Sequence, residues 1–478
     1  MKKIILIVSS LLLTCGAFAE GYQVNNMSAK QTGMGHIGTA MKLNSESIFF
    51  NPAAASFQKS TFDISVGFAG ILSSARYQAL PSVENGYKIG QAEKSDNGLS
   101  TPIHAYFNYK PTKRLAIGLG FYTPDGSSMK WNDNWSGAHL IQNIDLKAFA
   151  FQPTISYRIT KNFSIGAGLT INWGNFELNR SMFRMSASQE LVNFLGNKIA
   201  QLPEAHPLRG KLAMIEQDLR TNYINQPLVS ARLKGNANVA VGINAGFLWD
   251  INDEWSVGMT WRSRLDMKVK KGESSLKYDE QIGQYINMLG ALAGGALPPI
   301  MNLDGGSFQT ELPLPTSVTW GVSFRPTPRW EFGVDLQWVG WSAYDKLVVT
   351  FDESVGMDPI VSEKNYSNTL AFRFGGQFHA TKFVTARMGM YVDQSPVDSN
   401  FLNPETPSMT KVSYTAGLSL RPSKCMSIDL SYCYVSTADP ERIGSYPILN
   451  NATGKIEKFE GDYSLHANVF SVGMAFHF

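Results

Sequence analysis

Residues Phe470 to Phe478, "FSVGMAFHF", close the chain. Phe470, Val472, Met474, Phe476 and Phe478 alternate with Ser471, Gly473, Ala475 and His477. A period of two with one wholly apolar face is the pattern of a β-strand. Such a strand at the last residue leaves a row of backbone donors and acceptors that a neighbour must satisfy. The expected neighbour is the first strand of the same chain, which would close the sheet on itself.

The other end sets the compartment. Lys2 and Lys3 precede an apolar run, Ile4 to Leu13, and then Ala17-Phe18-Ala19. That is a secretory signal of the A-x-A type, too short to span a membrane as a helix. Cleavage before Glu20 leaves 478 − 19 = 459 residues, and losing two lysines lowers the net charge from +3 to about +1. A lipoprotein reading of Cys15 is disfavoured because Thr14 stands where a small residue is wanted. A balanced charge gives no argument for nucleic acid. Cys425 and Cys433, eight residues apart in one expected strand, would lie roughly 26 Å apart at about 3.3 Å per residue, so a bond between them is excluded within that strand.

Composition points to many strands. The chain holds 28 Phe, 18 Tyr, 10 Trp and 42 Gly, yet no run of about 20 apolar residues that would read as a spanning helix. Trp330, Phe332, Val334, Leu336 and Trp338 share one face, and Glu331, Gly333, Asp335 and Gln337 the other. Met426 to Tyr434 repeats the alternation. Fourteen strands are expected, near 60–71, 100–110, 114–123, 143–159, 162–179, 232–249, 254–271, 308–325, 329–349, 366–380, 383–393, 410–421, 426–437 and 461–478. Tight turns such as Pro111-Thr112-Lys113, Thr160-Lys161 and Thr381-Lys382 alternate with long loops throughout. An even number of antiparallel strands with short turns at one end describes an all-β transmembrane, 14-stranded antiparallel outer-membrane β-barrel. A closed barrel leaves no unpaired backbone in lipid.

A barrel of this size has a lumen that side chains alone do not fill. Residues 20–59 precede the first strand, are rich in small residues and alternate weakly. They are expected to form an N-terminal plug, or hatch, inside the barrel of residues 60–478; a linker outside it is the alternative. The Asn51-Pro52-Ala53 motif after "TAMKLNSESIFF", with "NAGFLWDINDEWSVGMTWRS", "WVGWSAYDKL" and "YVDQSPV" in order, resembles the FadL/TodX family of outer-membrane transporters for long-chain fatty acids and other hydrophobic compounds.

The resemblance implies passive uptake: capture by outer loops, a shift of the plug, and lateral exit through the wall. It places Arg180 and Lys364 near the family's head-group positions, the alternative being solvated rim charges. It also implies a wall opening at a kink in the third strand. Pro124 and Gly126 suit such a kink, since proline donates nothing to the ladder; an ordinary loop start there is the alternative. Two long loops, 180–231 and 272–307, read as helical and apolar. Leu191, Phe194 and Leu195 in one, and Ile286, Leu289 and Leu292 in the other, are candidates for ligand capture, unless the loop helices simply pack on each other.

The expected partners are a hydrophobic ligand, with a fatty acid favoured, the lipid bilayer, and the barrel-assembly machinery during biogenesis. The expected location is the outer membrane of a Gram-negative cell. A general porin for polar solutes is a second reading. An enzyme is a third, but no G-x-S-x-G or H-E-x-x-H motif is present, and neither metal-ligand spacing nor a cofactor motif is found.

Overall fold

Alternation becomes structure here with its usual sense inverted. On Trp330 to Trp338 the polar residues Glu331, Asp335 and Gln337 are buried, while Trp330 and Leu336 are exposed. The same holds at the end of the chain, where Ser471 and Ala475 are buried and Phe470 and Met474 exposed. A sheet that faces its greasy side outward and its polar side inward is built for lipid.

The computed structural model describes residues 21–80, 90–292, 303–438, 442–450 and 455–478. The signal segment 1–19 lies outside the described residues. Fourteen wall strands run in order: β1 Phe62–Ala79, β2 Ile103–Tyr109, β3 Leu115–Lys130, β4 Asn143–Arg158, β5 Phe163–Ser181 and β6 Ser230–Asp250. Four broken ones follow: β7 (Trp255–Arg262 and Leu265–Lys277), β8 (Ser307–Leu314 and Ser317–Thr327), β9 (Trp330–Val339 and Lys346–Phe351) and β10 (Ile360–Glu363 and Thr369–His379). The last are β11 Val384–Asp393, β12 Lys411–Ser423, β13 Met426–Thr437 and β14 Lys455–His477. Every neighbouring pair is antiparallel, and β14 closes on β1 from Asp63↔His477 to Ala79↔Gly461. A hairpin strand, Arg442–Asn450, extends the sheet above β14.

All fourteen expected strands are present, with three instructive differences. β1 and β14 run longer, to Ala79 and from Lys455, because β1 stays paired with β14 as far as Gly461 and the 442–450 strand pairs with β14 beyond it. The expected continuous strand 329–349 is broken at Gly340 by a short turn, Trp341–Ala343. β3 does not end at residue 123 but continues to Lys130. At the short-turn end, lipid-facing aromatics meet in pairs: Phe62 stacks on Tyr109 at 4.7 Å and Trp255 on Phe324 at 4.3 Å, and Trp330 lies tilted against Phe378 at 4.4 Å. This is one aromatic girdle of a membrane barrel.

Residues from Gly21 to Gln58 pack against the inner faces of strands on opposite sides of the wall. They dock backbone to backbone where the wall carries glycine. A Cβ added at Gly375 would lie 2.2 Å from the Met34 carbonyl, at Gly389 2.3 Å from the Gly35 nitrogen, and at Gly258 2.4 Å from the Thr39 carbonyl. Cross-strand pairing sets Gly333 and Gly389 on either side of Gly375, Gly258 beside Gly321, and Gly166 beside Gly246.

Candidate functional site

Among several register slips in the wall, the one in β3 coincides with a loss of pairing on the strand's other edge. β3 loses register with β4 between Tyr122 and Asp125, and Pro124 sits in the slip. On its other edge, β3 pairs with β2 only as far as His104↔Tyr122. Beyond that, residues 95–102 turn away and hydrogen-bond to β1 through Ala69, Ile71 and Ala75. Contact with β3 resumes at Lys130, whose carbonyl accepts from the Asp96 N–H at 2.7 Å. Among the described residues, no wall strand covers the β2-facing edge of β3 between Pro124 and Met129. A cavity of about 550 Å³ lies there, lined by Leu99, Pro102, Gly126, Met129 and Phe149 among others. The strand is therefore bulged at Pro124 and runs on to Lys130 rather than starting a loop, and Gly126 lies just beyond the bulge, already back in register opposite Lys147.

The uncovered edge is met from inside. The Val24 N–H donates to the Pro124 carbonyl at 2.9 Å, and the Gly126 N–H to the Tyr22 carbonyl at 2.9 Å. These two bonds bracket an antiparallel bridge between Gln23 and Asp125. Tyr22 anchors the segment above: its hydroxyl donates to the Pro313 carbonyl, and its ring meets Trp341 edge-on at 4.8 Å and Tyr344 at 5.8 Å. One short stretch, Gly21 to Asn26, lines three cavities. The first, about 40 Å³, is almost wholly apolar, with Tyr22, Met267, Val269 and Leu347 around it and Glu405 at its edge. The second, about 80 Å³, holds His36, Arg262 and Arg373. The third is the large cavity at β3.

Asn51, Pro52 and Ala53 lie at the opposite, fixed part of the N-terminal segment. The Asn51 amide donates to the carbonyls of Thr39 at 2.7 Å and Phe247 at 2.9 Å, and its oxygen accepts from the Ala53 N–H at 3.1 Å. Pro52 opens the turn Pro52–Phe57, where its missing N–H is not needed. The Ala53 carbonyl accepts from Ser156 and Ser164 on β4 and β5 at 2.9 and 2.8 Å. The motif therefore ties the segment to the wall, and its side chains touch none of the three cavities.

Lys364 is neither a solvated rim charge nor a free cation. It is 1% exposed, and its ammonium pairs with the Glu405 carboxylate at 2.9 Å. Burial alone would lower its pKa; Glu405, with Tyr446 and Tyr366, more than offsets that and holds the ammonium above its ordinary value. Arg180, half-buried at the end of β5, also feels Glu405. Among the described residues it has no ion pair within 4 Å and no side-chain hydrogen bond. One of the two expected cations is thus paired with a carboxylate that sequence reasoning missed, and the other lies within that carboxylate's electrostatic reach. In "NPETP", Glu405 is a lone acid between prolines, with nothing local to announce its partner 41 positions away.

The outer loops carry helices, Ala187–Gln201 and Pro207–Asp218 in the first and Glu280–Leu292 in the second. They pack on each other around Val192, Leu195, Leu212, Ile215 and Ile282. Leu195, 1% exposed, belongs to that core and cannot contribute to an open capture surface; helical periodicity groups the core face and the adjoining flank together. Leu191, Ile286 and Leu289 are half-buried at its margin. Phe194 is 53% exposed and Met214 70%. The Leu292 side chain lies outside the described residues.

The whole architecture has close counterparts. A family model described as "Outer membrane protein transport protein (OMPP1/FadL/TodX)" matches residues 10–478. The long-chain fatty acid transport protein of Escherichia coli K12 is 22% identical over 96% of this chain and 97% of its own length. In structure, a FadL homologue of Pseudomonas aeruginosa superposes with a TM-score of 0.73 at 19% identity, covering 96% of this chain and all of that one. The toluene transporter TodX of P. putida superposes with 0.65 at 15% identity, over 97% and 99%.

Proposed function

The chain belongs to the OMPP1/FadL/TodX family of outer-membrane transport proteins, and from that premise we propose that it passes hydrophobic molecules, long-chain fatty acids among them, from outside the cell into the outer membrane by diffusion. Ligand is caught at the apolar loop surface around Phe194 and Met214. It descends past Tyr22 towards the gap beside β3 and leaves sideways between Leu99 and Gly126. Residues 20–59 act as the plug, of which only the first few residues need to move. The observation that carries this reading is that Gly21 to Asn26 lines all three cavities and also supplies the only backbone partner, among the described residues, for the open edge of β3. Displacing those six residues joins an apolar upper cavity to a lateral exit, a route suited to an apolar solute and of little use to a polar one.

Gln23 and Asp125 form the non-hydrogen-bonded kind of antiparallel pair, with Cα atoms about 4.5 Å apart, which is within reach of a disulfide. In a Cys425→Ser background, Gln23→Cys with Asp125→Cys should abolish uptake of labelled oleate when oxidised and restore it on reduction. Undiminished uptake by fully oxidised protein would reject the gate.

A further inference from the structure

The 80 Å³ cavity has a chemistry that the route described above does not use. Its charged lining is Arg262, Arg373 and Asp125, so cations outnumber carboxylates. Arg262 comes from β7, Arg373 from β10 and His36 from the N-terminal segment, three elements far apart in sequence. Arg373 is 5% exposed and donates to Gln337 at 2.7 Å and to Asn25 at 3.3 Å; its counter-charge, Asp393 at 3.7 Å, lies outside this cavity. Arg262 lies over the Phe49 ring at 3.9 Å and donates to the Phe49 carbonyl, while its buried Nε–H finds no partner among the described residues.

His36 completes the set. It is 2% exposed and holds a left-handed backbone, φ 58°, which costs a residue with a Cβ about 1 kcal/mol or more. An arginine can only donate, so at 3.4 Å the Arg373 guanidinium makes His36 Nδ1 an acceptor and leaves the proton of the neutral ring on Nε2. That Nε2 is buried and has no partner among the described residues. Two buried N–H donors without a partner among the described residues, on residues lining a cavity whose cations outnumber its carboxylates, suit an anionic acceptor.

We propose that this cavity is a head-group station for a carboxylate beside the lateral gap, separate from Arg180 and Lys364. It rests on the transport reading and narrows its substrate to anionic amphiphiles. Pro124 and Val24 line the cavity's edge, so a tail held there extends into the gap while the head group remains on Arg262 and His36.

The test is equilibrium binding of labelled oleate and labelled oleyl alcohol to the detergent-solubilised protein carrying Arg180→Ala, so that the upper cation contributes nothing. Adding Arg262→Gln should weaken oleate about tenfold, the scale of a lost charge-assisted hydrogen-bond pair, and leave oleyl alcohol within about twofold. Because Arg262 also holds Phe49, His36→Asn serves as the second variant: asparagine tolerates the left-handed backbone, and it should weaken oleate alone by a few-fold. Unchanged oleate binding in both variants, or equal losses for both probes, would overturn the station. If the protein with Arg180 intact binds neither probe, the transport reading falls and the station with it; if only the Arg180→Ala protein loses both, the station falls alone.

Discussion

At the residue scale, Lys364 shows how far a single side chain can be read. A lysine at a strand end in a membrane barrel suggests an anion site, and the structure does give it an anion, but an internal one. Glu405 supplies that anion, buried with Lys364 and within the electrostatic reach of Arg180. A fatty acid arriving there competes with Glu405, whereas a neutral molecule does not. Removing one partner of a buried pair strands the other, at a cost of about 3–5 kcal/mol. Glu405→Gln should therefore lower the thermal midpoint, and oleate but not oleyl alcohol should restore it, with oleate affinity raised about tenfold. Equal effects of the two ligands would show that Glu405 is a structural ion partner only.

At the element scale, glycines on neighbouring wall strands make room for the N-terminal segment. Gly389 on β11 and Gly375 on β10 face the Met34–Gly35 backbone with no room for a methyl group. Gly389→Ala should still assemble a heat-modifiable barrel, since the lipid face is untouched. The N-terminal segment proposed as the plug would be displaced by overpacking worth about 1–3 kcal/mol, and single-channel recordings in planar bilayers should show raised ion leak. Gly196→Ala is the control: it lies in the loop helix Ala187–Gln201 with open space around it, and it should leave conductance at the wild-type level. The kink in β3 was legible because Pro124 withholds a donor. That Gly126 donates its N–H to Tyr22 was not, because the two lie about a hundred positions apart and meet only once the barrel has closed.

At the scale of the whole molecule, this outer-membrane barrel is held by its closure. The Phe478 N–H donates to the Phe62 carbonyl at 2.9 Å, and the Phe478 carbonyl accepts from Thr61 at 2.7 Å and Phe62 at 3.0 Å. In lipid each unmet backbone group costs several kcal/mol, roughly. Deleting Phe478 should lower the yield of heat-modifiable barrel in the outer membrane several-fold, both through these bonds and by removing the terminal aromatic proposed to engage the barrel-assembly machinery. The few molecules that do assemble should bind oleate normally. Full assembly without Phe478 would show that the rest of the β1–β14 ladder suffices.

What the sequence by itself determined is the wall: fourteen strands, their lipid faces, the end that carries the tight turns, and an interruption at Pro124, though not that β3 continues beyond it. Lipid imposes this, because a strand crossing it must alternate and a turn beside it is built from adjacent residues, so both leave local signatures. What only the tertiary structure decided is the content of the lumen. Glu405 against Lys364, Tyr22 under Trp341, and His36 facing Arg262 and Arg373 join positions tens to hundreds of residues apart. Inside the barrel a polar residue can find its partner on any strand, so spacing along the chain carries no information about which one it meets.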